Sequence, residues 1–260
     1  MSRLPPLPLP SARGAQPARF LASLAFMVMV VGIGSRHLDF ISSATMYAAV
    51  IAGLLLGLAA LAVVSVTVRD VWREGRRGAS SAFGTLLLII ATFSPLIGGV
   101  AAYVAYPALD SVSTDTDDPP AAPAGFKQVA LPIDLRAAPD DDAALQEDAY
   151  PELTTQAVDL STVEAYALAR QTIDDLGWTI RLAEEPDTEA ASGRIEAEAR
   201  SMLLGTQEDV VVRIRPGDGG SRIDVRSLSQ VAMPDLGENA RHVGDFLARF
   251  AEVSRRQAAN

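Results

Sequence analysis

Three long apolar stretches within the first 109 residues constrain this chain more than any other feature; they cover residues 20–34, 44–68 and 82–109. A helix needs about 20 apolar residues to cross about 30 Å of hydrocarbon. The second and third stretches exceed that length, while the first is shorter. We interpret the first as an uncleaved span rather than a signal peptide, because two further spans follow it. The sequence therefore predicts a three-helix transmembrane anchor at 20–109, behind a disordered Pro-rich tail at 1–19.

The arginines around these stretches predict the orientation of the anchor. They are concentrated in the N-terminal tail and in the loop between the second and third stretches, at Arg69, Arg73, Arg76 and Arg77. The loop between the first and second stretches carries only Arg36 and Asp39. Because short Arg-rich loops stay in the cytoplasm, we expect a cytoplasmic N-terminus in a bacterial inner membrane. Everything after the third span is then expected in the periplasm or its extracytoplasmic equivalent.

Charge divides the chain at the same place. Residues 1–108 carry a formal charge of +5, and residues 109–260 carry −15. This contrast predicts an acidic soluble domain behind the anchor and argues against nucleic acid as a partner. The chain has no Cys, which excludes disulfides and thiolate nucleophiles. Residues 110–124 are acidic and Pro-rich, so we expect an extended linker there and the soluble domain at 125–257.

Hydrophobic periodicity predicts an α+β fold for the soluble domain. Ser161 and Glu164 form a capping box before a helix that ends at Gly177. Four alternating segments follow, and they predict an antiparallel four-stranded meander with one wet face; they read WTIRLA, RIEAEAR, DVVVRIR and SRIDVRS. A further strand is expected near 128–131. The last helix is expected to begin at Asp235, with Glu238 at capping-box spacing, and two helices then cover one face of the sheet.

Several segments carry a resemblance to a known family. They are DVVVRIR at 209–215, IDVRS at 223–227 and DLGENA at 235–240, with YPEL at 150–153 and GW at 177–178. Over about residues 125–255 the chain resembles the bacterial domain-of-unknown-function family numbered 1499. The resemblance implies a domain that often follows a multi-span anchor, and it implies no activity. The chain departs from the family pattern at Gln230, where an Arg is usual, and at Thr206, where an aromatic residue is usual.

One set of polar residues forms a candidate ligand site. The set combines arginines on the outward sheet face with the start of the last helix: Arg213, Arg215, Arg222, Arg226, Asn239 and Arg241. Guanidinium groups and a helix N-terminus both bind anions, so an anionic ligand is one interpretation. The alternative is a structural salt-bridge ladder, because Asp224, Glu196 and Glu198 share that face.

Other functions rest on fewer residues. Glu196 and Glu198 form a carboxylate pair that would suit a cell-envelope hydrolase, unless they make cross-strand ion pairs with Arg213 and Arg215. Gly53 and Gly57 form a GxxxG pattern that would let a membrane scaffold associate with a second copy, unless the pattern arose by chance. No cofactor, metal site or catalytic residue is predicted. The favoured hypothesis is an extracytoplasmic binding module for an envelope protein or an anionic ligand.

Overall fold

A computed structural model describes residues 10–129, 142–231 and 234–258. It begins with three helices, α1 (Ala15–His37), α2 (Ser43–Glu74) and α3 (Ala79–Ala105), and each is long and apolar enough to span a bilayer. The helices of the predicted anchor are therefore confirmed. Helix α1 extends beyond the first apolar stretch at both ends, and its 23 residues measure about 34 Å. The apolar stretch alone is short for a span, but the small and polar residues on both sides of it continue the helix to a sufficient length.

Gly53 and Gly57 lie buried on α2, against helices of the same chain. A methyl group added at Gly53 would lie 3.3 Å from the carbonyl oxygen of Ala25 in α1. One added at Gly57 would lie only 2.7 Å from Cε2 of Phe93 in α3. Both glycines therefore allow close helix packing inside the anchor, as small residues do in membrane proteins.

Part of the predicted N-terminal tail makes specific contacts with the anchor. The amide of Ala12 donates to the carbonyl oxygen of Arg77 at 2.8 Å. The amide of Arg13 donates to Oδ2 of the buried Asp70 at 3.0 Å. Residues 1–9 of the tail lie outside the described residues. The contacts join the segment before α1 to the last turns of α2 and to the loop that follows α2.

The remaining elements form the soluble domain and confirm its predicted α+β class. In chain order they are β1 (Ser111–Ser113), α4 (Asp142–Ala149), β2 (Gln156–Val158), α5 (Thr162–Asp175), β3 (Thr179–Glu184), β4 (Gly193–Arg200), β5 (Gln207–Gly217), β6 (Gly220–Ser229) and α6 (Glu238–Ala258). The antiparallel sheet has the order β1-β6-β5-β4-β3, and β2 also pairs with β6. The predicted meander is thus β3 to β6, and the sheet has six strands because β1 and β2 share the outer edge of β6.

The strand expected near 128–131 is represented by one bridge. Val129 pairs in parallel with Val231, and its amide donates to the carbonyl oxygen of Gln230 at 2.8 Å. Residues 130 and 131 lie outside the described residues.

Helices α5 and α6 pack on one face of the sheet, where the apolar side chains of the strands point. The predicted capping box of α5 is present, because Ser161 and Glu164 each bind the backbone of the other. The face of α5 that points to the sheet is buried at Thr162, Ala165, Tyr166, Ala169 and Ile173, and Leu176 after the helix is partly buried. The core between helices and sheet is completed by Ile195, Val210, Val212, Ile214, Ile223, Val225, Val243, Phe246 and Phe250.

Strand β3 departs from the predicted alternation. Ile180 and Leu182 were expected on one face, but the register shifts between them, and Leu182 lies opposite Glu196 and is exposed. A bulge inserts one residue into the strand and so turns every later side chain to the other face.

Helix α6 begins at Glu238 rather than at the predicted Asp235. Asp235 precedes a turn in which Leu236 and Gly237 both have a positive φ, 59° and 84°. Its carboxylate accepts hydrogen bonds from the amides of Gly237, at 3.1 Å, and Asn239, at 2.6 Å. Asp235 therefore caps the helix from outside it, and the left-handed turn explains why a glycine stands at 237.

Candidate functional site

The outward face of the sheet is lined with charged side chains whose alignment follows from strand register. Arg194, Arg213 and Asp224 lie opposite one another on β4, β5 and β6. The Asp224 carboxylate binds Arg213 at 3.0 Å and Arg215 at 2.7 Å, and it also accepts from Oγ1 of Thr155 at 2.7 Å. Asp224 is completely buried, so this face is not the wet surface that the alternation predicts.

A covering segment, residues 110–124, lies over these arginines. Asp115 binds Arg213 at 3.2 Å and Arg215 at 2.9 Å, and Asp118 binds the same two guanidiniums at 3.0 and 2.8 Å. Composition predicts an extended linker here, whereas the structure has β1 and a salt-bridge network. Because the carboxylates pair with residues about a hundred positions away, no local sequence pattern reveals this arrangement.

The network also changes the acidity of its members. Burial opposes ionisation of Asp115, but the backbone amide of Asp118 and the guanidiniums of Arg215 and Arg213 outweigh it and hold the pKa of Asp115 below its usual value. Burial also opposes the charge of Arg215, yet Asp224 and Asp115 raise its pKa above the ordinary value. Both groups are therefore held in the charged form, as salt-bridge partners are.

Two further sheet arginines of this face bind the backbone of the covering segment. Arg194 donates to the carbonyl oxygens of Ala121, at 2.7 Å, and Ala122, at 3.3 Å. Arg226 donates to the carbonyl oxygen of Pro120 at 3.1 Å and to Oγ of Ser111 at 2.9 Å. Arg213 and Arg215 thus support the salt-bridge interpretation more than the ligand interpretation, and Arg226 is held by hydrogen bonds to the covering segment. Arg222 differs from them because it is exposed.

Glu196 and Glu198 also have protein partners, but not the arginines that were expected. Glu196 binds Arg194 on its own strand at 2.7 Å. Glu198 binds Arg181 of β3 at 2.5 Å and accepts from Nε2 of Gln207 at 2.9 Å. The register explains the difference, because Glu196 lies opposite Val211 and Glu198 opposite Asp209, so neither faces Arg213 or Arg215.

Asn239 is a buried structural junction. Its Oδ1 accepts from Oγ of Ser227 at 2.6 Å. Its Nδ2 donates to Oγ of Ser229 at 2.9 Å and to the carbonyl oxygen of Asp110 at 3.1 Å. One side chain therefore joins the start of α6 to β6 and to the residue that precedes β1. Together with the Asp235 cap and the turn at Gly237, this accounts for the DLGENA segment as a structural motif.

Two groups near this junction have strongly shifted acidity. Burial raises the pKa of Asp235 to about 6, although the amides of Asn239 and Gly237 oppose the rise. Burial also raises the pKa of Tyr150 to about 12, and the neighbouring Asp235 adds to the shift. Asp235 therefore gains a proton in the folded domain at a pH where an exposed carboxyl would remain ionised.

A cleft of about 270 Å³ opens beside Trp178, between the start of β3, the end of β4 and helix α6. We call it the Trp178 cleft. Its walls carry acidic, basic and amide side chains: Glu198, Arg200, Gln207, Arg241, His242 and Asp245. The indole of Trp178 meets the ring of His242 edge to face at 5.8 Å and stacks on Phe246 at 6.3 Å. A rigid aromatic group therefore anchors one wall of a polar site.

His242 lies buried at the inner wall of the cleft. Its Nδ1 is 3.0 Å from Oε2 of the buried Glu208, an ion-pair distance without the alignment of a hydrogen bond. Its Nε2 is 3.1 Å from the carbonyl oxygen of Arg200 and 3.0 Å from Nη2 of Arg241. Arg241 itself binds Glu238 at 2.5 Å and Asp245 at 2.9 Å. Both ring nitrogens of His242 therefore face protein groups.

The predicted ligand set is thus distributed over separate places. Arg213, Arg215 and Arg226 lie under the covering segment, Arg222 is exposed, Asn239 lies in the core, and only Arg241 lines the Trp178 cleft. The cleft was missed because its residues come from four separate segments. The GW pair at 177–178 is the one sequence signal that points to it.

Fold and site together define an acidic α+β domain behind three apolar helices. The chain belongs to the family described as "Protein of unknown function (DUF1499)", whose model matches residues 111–250. The match begins at β1 and so includes most of the covering segment. No curated protein and no solved structure matches the chain.

Proposed function

We propose that this protein is a membrane-anchored binding module of the bacterial cell envelope. In this proposal the soluble domain lies outside the cytoplasm and receives a small polar group, from a ligand or a partner protein, in the Trp178 cleft. The observation that carries the proposal is a polar cleft built around one indole.

The distribution of arginines supports the extracytoplasmic side. Helix α2 ends in the Arg-rich segment before α3, with Arg69, Arg73, Arg76 and Arg77 close together. Positive charge near the end of a span favours the cytoplasm, and a third span then leads the chain to the opposite side.

The lining of the cleft supports a polar ligand of modest size. Its volume of about 270 Å³ falls just below the usual range for drug-sized ligands, about 300–1,000 Å³. Guanidinium, carboxylate and amide groups surround the opening, so charges of either sign would find partners there. An amino-acid-sized or sugar-sized group fits this description better than a large apolar molecule.

The geometry favours binding over hydrolysis. A general base needs a nitrogen or oxygen within reach of the substrate, and both nitrogens of His242 face protein groups. The carboxylates of the alternative hydrolase, Glu196 and Glu198, are held by Arg194 and Arg181. These guanidiniums bind carboxylate oxygens that glycoside hydrolysis would use.

Photocrosslinking in intact membranes tests the proposal. A benzophenone side chain is introduced at Thr179, on the cleft wall, or at the exposed Asp218 in the β5–β6 hairpin as a control. We expect adducts from Thr179 and not from Asp218. Arg241→Ala should reduce the Thr179 adducts several-fold, whereas Arg222→Ala, which removes an exposed arginine outside the cleft, should leave them unchanged. Equal adducts from both positions, or adducts unaffected by Arg241→Ala, would contradict the proposal.

A further inference from the structure

Exposed apolar side chains of the soluble domain gather at one end of its sheet. Among the described residues after 110, four large apolar side chains are exposed: Val129, Leu182, Met202 and Leu203. All except Leu182 lie where β4 leads into β5 and where β6 ends. Met202 is 71% exposed and Leu203 is 41% exposed. Single exposed apolar residues are ordinary, but a cluster of them marks a contact surface.

Strand register shows that the chain enters the domain at this same end. Ser111, the first residue of β1, lies opposite Leu228, and Glu208 at the start of β5 lies opposite Ser229. Five residues, 106–110, separate the end of α3 from the start of β1. Fully extended, they reach at most about 18 Å. Covalent connection alone therefore keeps this end of the domain near the membrane.

The β4–β5 connection, residues 201–206, is a compact uncharged turn that we call the tether-end loop. The amide of Ser201 donates to the carbonyl oxygen of Thr206 at 2.9 Å, and the two hydroxyl groups are 2.8 Å apart. These bonds close the turn, and none of its six residues has a charged side chain. The opposite end of the sheet, about 34 Å along β5, carries the polar hairpin with Asp218.

We propose that the tether-end loop is a lipid-contacting element that places Met202 and Leu203 in the headgroup layer of the bilayer holding the anchor. Apolar side chains on a charge-free element partition into this layer, and binding increases with the apolar area that is buried. Val129 lies beside the end of β6, at the same end of the sheet. The inference holds for either orientation of the anchor and does not depend on the Trp178 cleft.

Because the chain has no Cys, single labels can be placed on the full-length protein without other changes. Leu203→Cys, carrying the environment-sensitive dye NBD, is reconstituted in phosphatidylethanolamine–phosphatidylglycerol nanodiscs with or without headgroup-proximal spin-labelled lipid. Leu182→Cys is the matched control, since it replaces an exposed leucine away from this end of the sheet. Asp218→Cys reports the far end.

We expect blue-shifted emission at position 203 that loses most of its intensity with spin-labelled lipid, and unquenched emission at 182 and 218. Emission at 203 that is as red and as unquenched as at 182 would overturn the proposal. Blue-shifted emission at 203 without lipid quenching would also overturn it, because the loop would then contact protein. Met202→Cys provides a second position for the same measurement.

Discussion

Removal of the Asp224 carboxylate should destabilise the soluble domain more than removal of any other acid on the outward face. Asp224 is 0% exposed, and its carboxylate is shared by Arg213, Arg215 and Thr155. Asp118 binds the same two arginines, but its side chain is 67% exposed. The two acids therefore offer a matched comparison of a buried and an exposed partner in one network.

The expected magnitudes follow from burial. Breaking a buried ion pair by removing one partner costs about 3–5 kcal/mol, because the remaining charge stays buried without compensation. The loss of an exposed partner costs less than about 1 kcal/mol. We therefore expect Asp224→Ala to lower the free energy of unfolding by about 4 kcal/mol and Asp118→Ala by less than about 1 kcal/mol.

Urea unfolding of the full-length chain in detergent measures both changes. The chain has two tryptophans, so a Trp72→Phe background leaves Trp178 as the fluorescent reporter of the soluble domain. Equal losses for the two variants would refute the reasoning, because burial would then not decide the contribution of each acid. A loss below about 1 kcal/mol for Asp224→Ala would refute it as well, since the buried charges would need no partner.

Three further predictions concern other parts of the chain. Burial raises the pKa of Asp235 from 3.8 to about 6 in the folded state, so protonation of this carboxyl favours folding, and that stabilisation is lost as pH rises through 6. In urea titrations the free energy of unfolding should therefore rise by about 1 kcal/mol from pH 7 to pH 5, and a flat profile would contradict this. Asn239→Ala removes the hydrogen-bond partner of the buried Ser227 and Ser229 hydroxyls and should cost about 2–3 kcal/mol in the same assay. A loss below about 0.5 kcal/mol would show that the junction is dispensable. Gly57→Leu should lower the melting temperature of the anchor in detergent, because the new side chain would clash with Phe93. The same change at Gly84, where a methyl group meets nothing within 4 Å, should have little effect, and equal effects would contradict the packing role.

The features that were predicted best from the sequence are those that depend on residues close together in the chain. The three apolar helices follow from length and composition. The capping box at Ser161 and Glu164 and the alternation in β4, β5 and β6 follow from short-range patterns that tertiary structure did not override.

Other features were not predicted, and the main one depends on contacts between residues far apart in the chain. The acids of the covering segment look like a solvated linker until their partners Arg213 and Arg215 are known. The bulge in β3 adds one residue that no composition rule locates. The start of α6 was predicted too early, because Asp235 and Glu238 have capping-box spacing. Gly237 between them has a left-handed conformation, which a helical residue does not adopt, so the helix begins only after it.

The side of the membrane on which the soluble domain lies is tested most directly by labelling single cysteines with a membrane-impermeant maleimide. Asp218→Cys reports the domain, and Ser80→Cys, in the first turn of α3, reports the Arg-rich end of the anchor. In bacteria whose outer membrane alone has been permeabilised, we expect position 218 to react at once and position 80 to react only after the inner membrane is lysed. Labelling of position 80 with protection of position 218 would place the domain in the cytoplasm and contradict the proposed function.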